Sequence, residues 1–176
     1  MEFSKLLDKR RSCRSYTGAP ITKKQLDYIM YAAVHAPSAC NKQSWHFTVI
    51  CDREVIKKFS PEYTGNSWIV NCGAVIIVST DREGIEKMAG ERGKNLFSIQ
   101  DTACAIENML LAASDEGLAG CFIGSFDAEK CFDDFVKNKR YTPVAVVAIG
   151  EPTEEPPMRE RRPMDEVVDL IGTPED

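Results

Sequence analysis

Ala36 to Phe47 reads APSACNKQSWHF, and this stretch decides how the rest of the chain is read. On its N-terminal side Leu26, Ile29, Met30 and Ala33 recur at helical spacing. That run opens with Thr22-Lys23-Lys24-Gln25, a capping box in which Gln25 stands three residues past the cap, and Pro37 stops it. On the C-terminal side Trp45 to Cys51 is aromatic and β-branched, which predicts a strand. Between helix and strand lie small and amide residues, a loop that offers backbone and side-chain amides to the edge of a pocket. Pro, Ser and Asn are also ordinary turn residues, so the loop alone does not decide a function.

Outward from this centre the chain alternates helical and extended signals. Phe3, Leu6 and Leu7 give a short helical face that ends in an arginine cluster. Asp52 can cap a short helix carrying Val55, Ile56 and Phe59, and Ala74 to Thr80 (AVIIVST) is a wholly apolar strand, expected to be central. Ser98 is read as the cap of the strongest helix, residues 98–116, with Gly117 as its stop. Gly120 to Phe126 predicts a strand running into a turn, Asp127 the cap of a further helix, and Pro143 to Gly150 another buried strand. Thr153 to Pro163 turns to Pro, Glu and Arg, a long arm, and Met164 to Ile171 is a last short element. Intervals between strands are irregular, and no strand is followed by a glycine-rich dinucleotide loop. That pattern favours an α+β layered sheet over a doubly wound nucleotide fold, with strand order left open. Length gives no reason to cut the 176 residues, so 1–176 is read as one domain with a C-terminal arm from about 153.

Composition sets the outer limits. Hydrophobic residues at 43% and charged residues at 28% are globular values, far from those of disordered chains. No run approaches the ~20 apolar residues that cross a bilayer. The N-terminus lacks the apolar centre of a signal peptide, so a soluble, cytoplasmic protein is expected. Seven cysteines without a C-x-x-C pair are read as reduced thiols, mostly buried. His35 and His46 have no zinc-ligand spacing to any of them, so no metal is expected. A net charge of −5 disfavours a nucleic-acid module. Basic residues nevertheless crowd both ends of the chain, which suggests one small anionic ligand.

Those ends carry two further segments. Arg10-Arg11-Ser12-Cys13-Arg14 offers guanidiniums that bind phosphate by paired hydrogen bonds. It equally suits a solvated basic helix end. Met158 to Pro163 (MRERRP) suits either the same ligand or a charged tail. In Gly120 to Phe126, Gly124 admits a planar ligand close to the backbone, or simply makes a tight turn.

Taken singly, the ordinary explanation of each segment is the better one; their order and spacing are another matter. The chain resembles the FMN-dependent nitroreductase family, whose members carry R-x-S-x-[RK], then P-S-x-x-N-x-Q-x-W-x-F, a central helix, a glycine-bounded loop and R-x-R-x-P. Here these stand at Arg10 to Arg14, Pro37 to Phe47, Ser98 to Glu116, Gly117 to Gly124 and Arg159 to Pro163. The resemblance implies a central, mostly antiparallel sheet flanked by helices, and a homodimer with flavin at the interface. It implies that Arg10, Ser12, Arg159 and Arg161 hold the FMN phosphate and ribityl chain, with Arg11 as an extra contact. Arg14 would sit near the pyrimidine edge. Pro37, Ser38, Ala39, Asn41 and Gln43 would reach the flavin from the partner subunit, and backbone N–H groups near Gly124 and Ser125 would meet N5 and O4. Many relatives carry an acidic residue where Gly124 stands. The chain is short for the family, and Asn66 and Trp68 are the expected pocket residues in its shortened lid region. The implied activity is a ping-pong transfer of hydride from NAD(P)H through flavin N5 to an electron-poor acceptor, with no catalytic side chain required. A flavin-remodelling or dehalogenating enzyme of the same fold, and a non-catalytic flavin-binding or sensor protein, are the alternatives.

Overall fold

A computed structural model describes residues 2–172. Its strands are β1 (Trp45–Ile50), β2 (Ala74–Thr80), β3 (Ala119–Ile123) and β4 (Thr142–Gly150). They form one sheet in the order β1-β2-β4-β3, antiparallel throughout. Every residue of β2 is buried, as its unbroken apolar run predicts, because helices cover both of its faces. The helices are α1 (Phe3–Lys9), α2 (Lys23–Val34), α3 (Arg53–Phe59), α4 (Arg82–Arg92), α5 (Ser98–Asp115) and α6 (Ala128–Cys131).

Strand alternation sorts the core into two layers. Ile76 and Val78 of β2 and Ala145, Val147 and Ile149 of β4 point to α2 and α5, where Ile29, Ala33, Ile106 and Met109 meet them. Val75, Ile77, Val146 and Ala148 point the other way, to Ile56 and Phe59 of α3 and to Cys131 at the end of α6. Each fully buried aliphatic side chain here contributes about 1.5–3 kcal/mol relative to exposure. Gly120 lets α5 approach β3: a Cβ there would stand 2.5 Å from Leu110 Cδ2. Pro143 lacks the N–H an interior strand needs, and it sits where the β2–β4 register shifts between Val78 and Ser79.

Local signals mostly form what they predict. Thr22 and Gln25 make the reciprocal capping box of α2. Asp52 accepts from the N–H groups of Glu54 and Val55, and Asp127 from that of Lys130. Ser98 differs. It has helical φ and ψ, and its hydroxyl donates to the Lys94 carbonyl at 2.6 Å, because α5 continues out of a π turn over Gly93–Phe97. The segment upstream is helical too, so no helix start exists at Ser98 to be capped.

Candidate functional site

Both chain ends converge on one edge of the sheet. Cys13 N–H donates to the Gly120 carbonyl at 3.0 Å, which makes Ser12 a parallel neighbour of β3. Thr17 N–H donates to Glu151 and Thr153 N–H to Ser15, so the segment after Arg14 is sewn to the start of the arm. Arg11 closes the seam, donating to the Pro156 carbonyl at 2.7 Å and pairing with Glu155 at 3.4 Å. Tyr16 is buried behind it, its hydroxyl donating to the carbonyls of Cys13 and Ala148. Burial raises the Tyr16 phenol well above its ordinary pKa, so it remains a neutral donor.

This seam forms a cleft of about 360 Å³ whose lining includes Arg10, Arg11, Ser12, Arg14, Arg159 and Arg161. The two basic segments, some 145 residues apart in sequence, therefore meet. Their arginines are not equivalent. Arg10 is tied to Glu107 of α5 at 3.3 Å, and Arg11 to the arm. Arg14, Arg159 and Arg161 have no salt bridge among the described residues, and Glu154 is the acidic residue that shares their cleft. Unpaired guanidiniums around a free serine hydroxyl make a receptor for a phosphate monoester.

The loop from Pro37 to Gln43 lies elsewhere. It enters β1, the opposite edge strand, and it enters at the strand end remote from Gly120. The separation is three strand spacings, roughly 14 Å across, and the six residue steps from Ala74 to Thr80 of β2, roughly 20 Å along. The arginine cleft and the loop thus occupy diagonally opposite corners of the sheet. Its backbone is strained: Cys40, Asn41 and Gln43 have φ of 48°, 54° and 50°, a region that side chains other than Asn and Asp rarely visit. A buried carboxylate holds it. Asp101 of α5 accepts from Ala39 N–H at 2.9 Å and from the Ser44 hydroxyl at 3.1 Å, while Ser38 Oγ accepts from Gln43 N–H. Pro37, Asn41 and Gln43 remain exposed.

Gly124 and Ser125, at the far end of β3, are exposed and outside the arginine cleft. A Cβ at Gly124 would meet nothing within 4 Å, and its φ is not positive, so neither packing nor a turn within this chain requires glycine there. Asn66 and Trp68 lie outside the arginine cleft; Trp68 leans on the core with its ring 6.3 Å from that of Tyr16. Among the described residues no cluster of His, Cys, Asp or Glu could hold a metal ion. Cys13, Cys72, Cys121 and Cys131 are buried, whereas Cys40, Cys51 and Cys104 are exposed. His46 stacks on Tyr141 at 4.3 Å, and burial lowers its pKa, so it stays neutral at pH 7. Its Nδ1 and the Ser79 hydroxyl, register partners across β1 and β2, are buried without hydrogen bonds among the described residues.

Sequence reasoning missed the parts that fix these groups in place. Asp101, Glu107 and Glu155 sit in segments whose local pattern is only helix or arm. They become visible as anchors once the loop and the arginines are in three dimensions.

An antiparallel α+β sheet with an anion cleft at one corner and an amide-rich loop at the other defines a class of small-ligand-binding domain. The sequence model of the Nitroreductase family matches residues 7–68 and 62–151, and the chain belongs to that family. A relative in Archaeoglobus fulgidus, provisionally named an NADH dehydrogenase/NAD(P)H nitroreductase, is 36% identical over 129 residues, which is 73% of this chain and 71% of the relative. The FMN reductase [NAD(P)H] of Bacillus subtilis is 27% identical over 179 residues, 94% of this chain and 72% of that one. The crystal structure of a nitroreductase family protein from Streptococcus pneumoniae has the same fold, with a TM-score of 0.83 at 20% identity over 96% of this chain and 100% of its own. No helix among the described residues is long and apolar enough to cross a membrane.

Proposed function

We propose that this protein is an FMN-dependent oxidoreductase that takes hydride from NAD(P)H and delivers it to an electron-poor acceptor such as a nitroaromatic or a quinone, by a ping-pong mechanism. The observation that carries the reading is the cleft where Arg14, Arg159 and Arg161, without salt bridges, surround Ser12. FMN, when bound, supplies the redox chemistry at its N5.

The chain's own residues bind and orient. Ser12, Arg159 and Arg161 hold the phosphate, with Arg10 aligned by Glu107 and Arg11 keeping the arm in position. Arg14 keeps positive charge beside the pyrimidine edge, where electron density rises on reduction. Gly124 and Ser125 present backbone N–H groups to the ring. No side chain is asked to exchange a proton, because the flavin carries the chemistry.

The site is completed by a second copy of the chain. The Pro37–Gln43 loop stands at the corner diagonally opposite the arginines of its own chain, so a homodimer would bring one protomer's loop to its partner's cleft. Residues 157–172 are exposed and carry apolar side chains, with Leu170 and Ile171 exposed to 70% and 98%. Such an arm gains stability by covering a neighbour.

Replacing Arg161 by Ala tests the reading. It removes a charge-assisted contact of roughly 1.5–3 kcal/mol, so FMN affinity should fall about tenfold to a hundredfold. Riboflavin, which lacks the phosphate, should bind wild type and variant alike in fluorescence titrations. Equal losses for both flavins would refute the phosphate assignment, and a monomer that still retains FMN would refute the shared site.

A further inference from the structure

A second cleft, of about 650 Å³, opens beside the strained loop. Lys42, Asp81, Glu83, Lys87, Lys139 and Arg140 line it. Its charges are unbalanced once existing bonds are assigned. Asp81 is already engaged, accepting from Gly84 N–H at 2.7 Å and from Arg140 Nε at 2.8 Å. Burial pushes the Asp81 carboxyl up, but Arg140 and the Gly84 N–H outweigh that and hold it below the usual carboxylate range. That bond orients Arg140, whose side chain is still 61% exposed, with its terminal nitrogens unused. Lys42, Lys87 and Lys139 make no side-chain hydrogen bond or salt bridge among the described residues. Glu83 alone opposes them, on a chain whose net charge is −5. Met88, 41% exposed, adds an apolar wall.

We infer that this cleft receives the phosphates of the reducing dinucleotide, and that the protein is built for NADPH over NADH. The inference rests on the flavin reading above. Lys42 lies between Asn41 and Gln43, so the loop that reaches the partner's flavin carries the cleft with it. A nicotinamide ring laid against that flavin leaves its phosphates to trail along the surface around the loop. The pyrophosphate occupies part of the cationic lining. The 2′-phosphate, a monoester bearing about −1.5 to −2 charge at pH 7, is what three lysines and an oriented arginine are matched to. An NADH ribose would leave most of that charge unanswered.

Steady-state kinetics of the flavin-loaded protein with NADPH and with NADH, in wild type and in a Lys87→Ala/Lys139→Ala variant, test the inference. Both lysines are exposed, so the variant folds and keeps its flavin, which the absorbance spectrum reports. Wild type should have the lower KM for NADPH. The variant should raise that KM at least about tenfold, with kcat unchanged, and should raise the NADH value much less. Calorimetry with adenosine 2′,5′-bisphosphate, with adenosine 5′-monophosphate as control, reads the cleft without turnover. The bisphosphate should bind wild type more tightly than the control does, and the variant should lose that difference. Equal use of both reductants by wild type, an NADPH preference that survives in the variant, or bisphosphate binding unchanged by the substitutions would each overturn the inference. Failure of the flavin reading would show separately, as wild-type protein that takes up no FMN, and the bisphosphate titration would still decide the cleft.

Discussion

The two opposite corners of the sheet, proposed above to meet one flavin across a dimer, are built in different ways. At the arginine corner the backbone is ordinary extended chain, and the groups that line the cleft are long side chains. Position comes from backbone pairing of Ser12 with Gly120 and of Thr153 with Ser15. At the loop corner most side chains before Lys42 are short, and the backbone itself is held in the left-handed region at Cys40, Asn41 and Gln43 by one buried carboxylate. A phosphate can be met by mobile charges, because Coulombic attraction tolerates a small misplacement. Amides facing the edge of a flat ring must point in fixed directions, and strain pinned from beneath achieves that.

The contrast can be broken experimentally, starting where the effect is largest. Asp101→Ala strands the half-buried Ala39 N–H and the buried Ser44 hydroxyl, each costing about 1–3 kcal/mol. The protein should lose roughly 2–5 kcal/mol in urea unfolding, and about 5–15 °C in melting temperature at this size. A loss below about 1 kcal/mol would mean the loop stands without its pin. Arg161→Ala is the counterpart: FMN affinity falls, while the melting temperature of the flavin-free protein does not move. A clear drop in that temperature would make Arg161 a structural residue. Thr22→Ala removes half of a capping box that lines neither the arginine cleft nor the loop, and should cost about 1 kcal/mol with no change in flavin affinity. Gln43→Gly should be smaller still. Relief of the positive φ offsets the backbone entropy of glycine, so stability stays within about 1 kcal/mol, while riboflavin as well as FMN binds more weakly. If riboflavin binding by Gln43→Gly equals wild type, the loop does not touch the ring.

The elements whose signals are local were legible in the sequence. Apolar runs marked β2 and β4, and cap residues placed the starts of α2, α3 and α6. The arginine corner was legible as two clusters, and the loop as a motif. What stayed hidden depends on distance in the sequence. Asp101 looks like any acidic residue in the first turn of a helix, and only tertiary structure brings Ala39 and Ser44 to it. The helix α4 has Ile85 as its buried residue and glycines at Gly84 and Gly90, so its apolar face is too thin to read. The charge imbalance around Lys42 cannot be read because its members come from three separate segments.

The seam between the two chain ends also orders events during synthesis. Residues 10–17 leave the ribosome well before their partners, which are Gly120 in β3, Glu151 after β4 and Thr153 in the arm. Contacts of such long sequence separation close late. A nascent or truncated chain lacking the last quarter therefore has no cleft at the arginine corner. If that corner takes the flavin phosphate as proposed above, retained cofactor would report, molecule by molecule, that synthesis and folding had reached the arm.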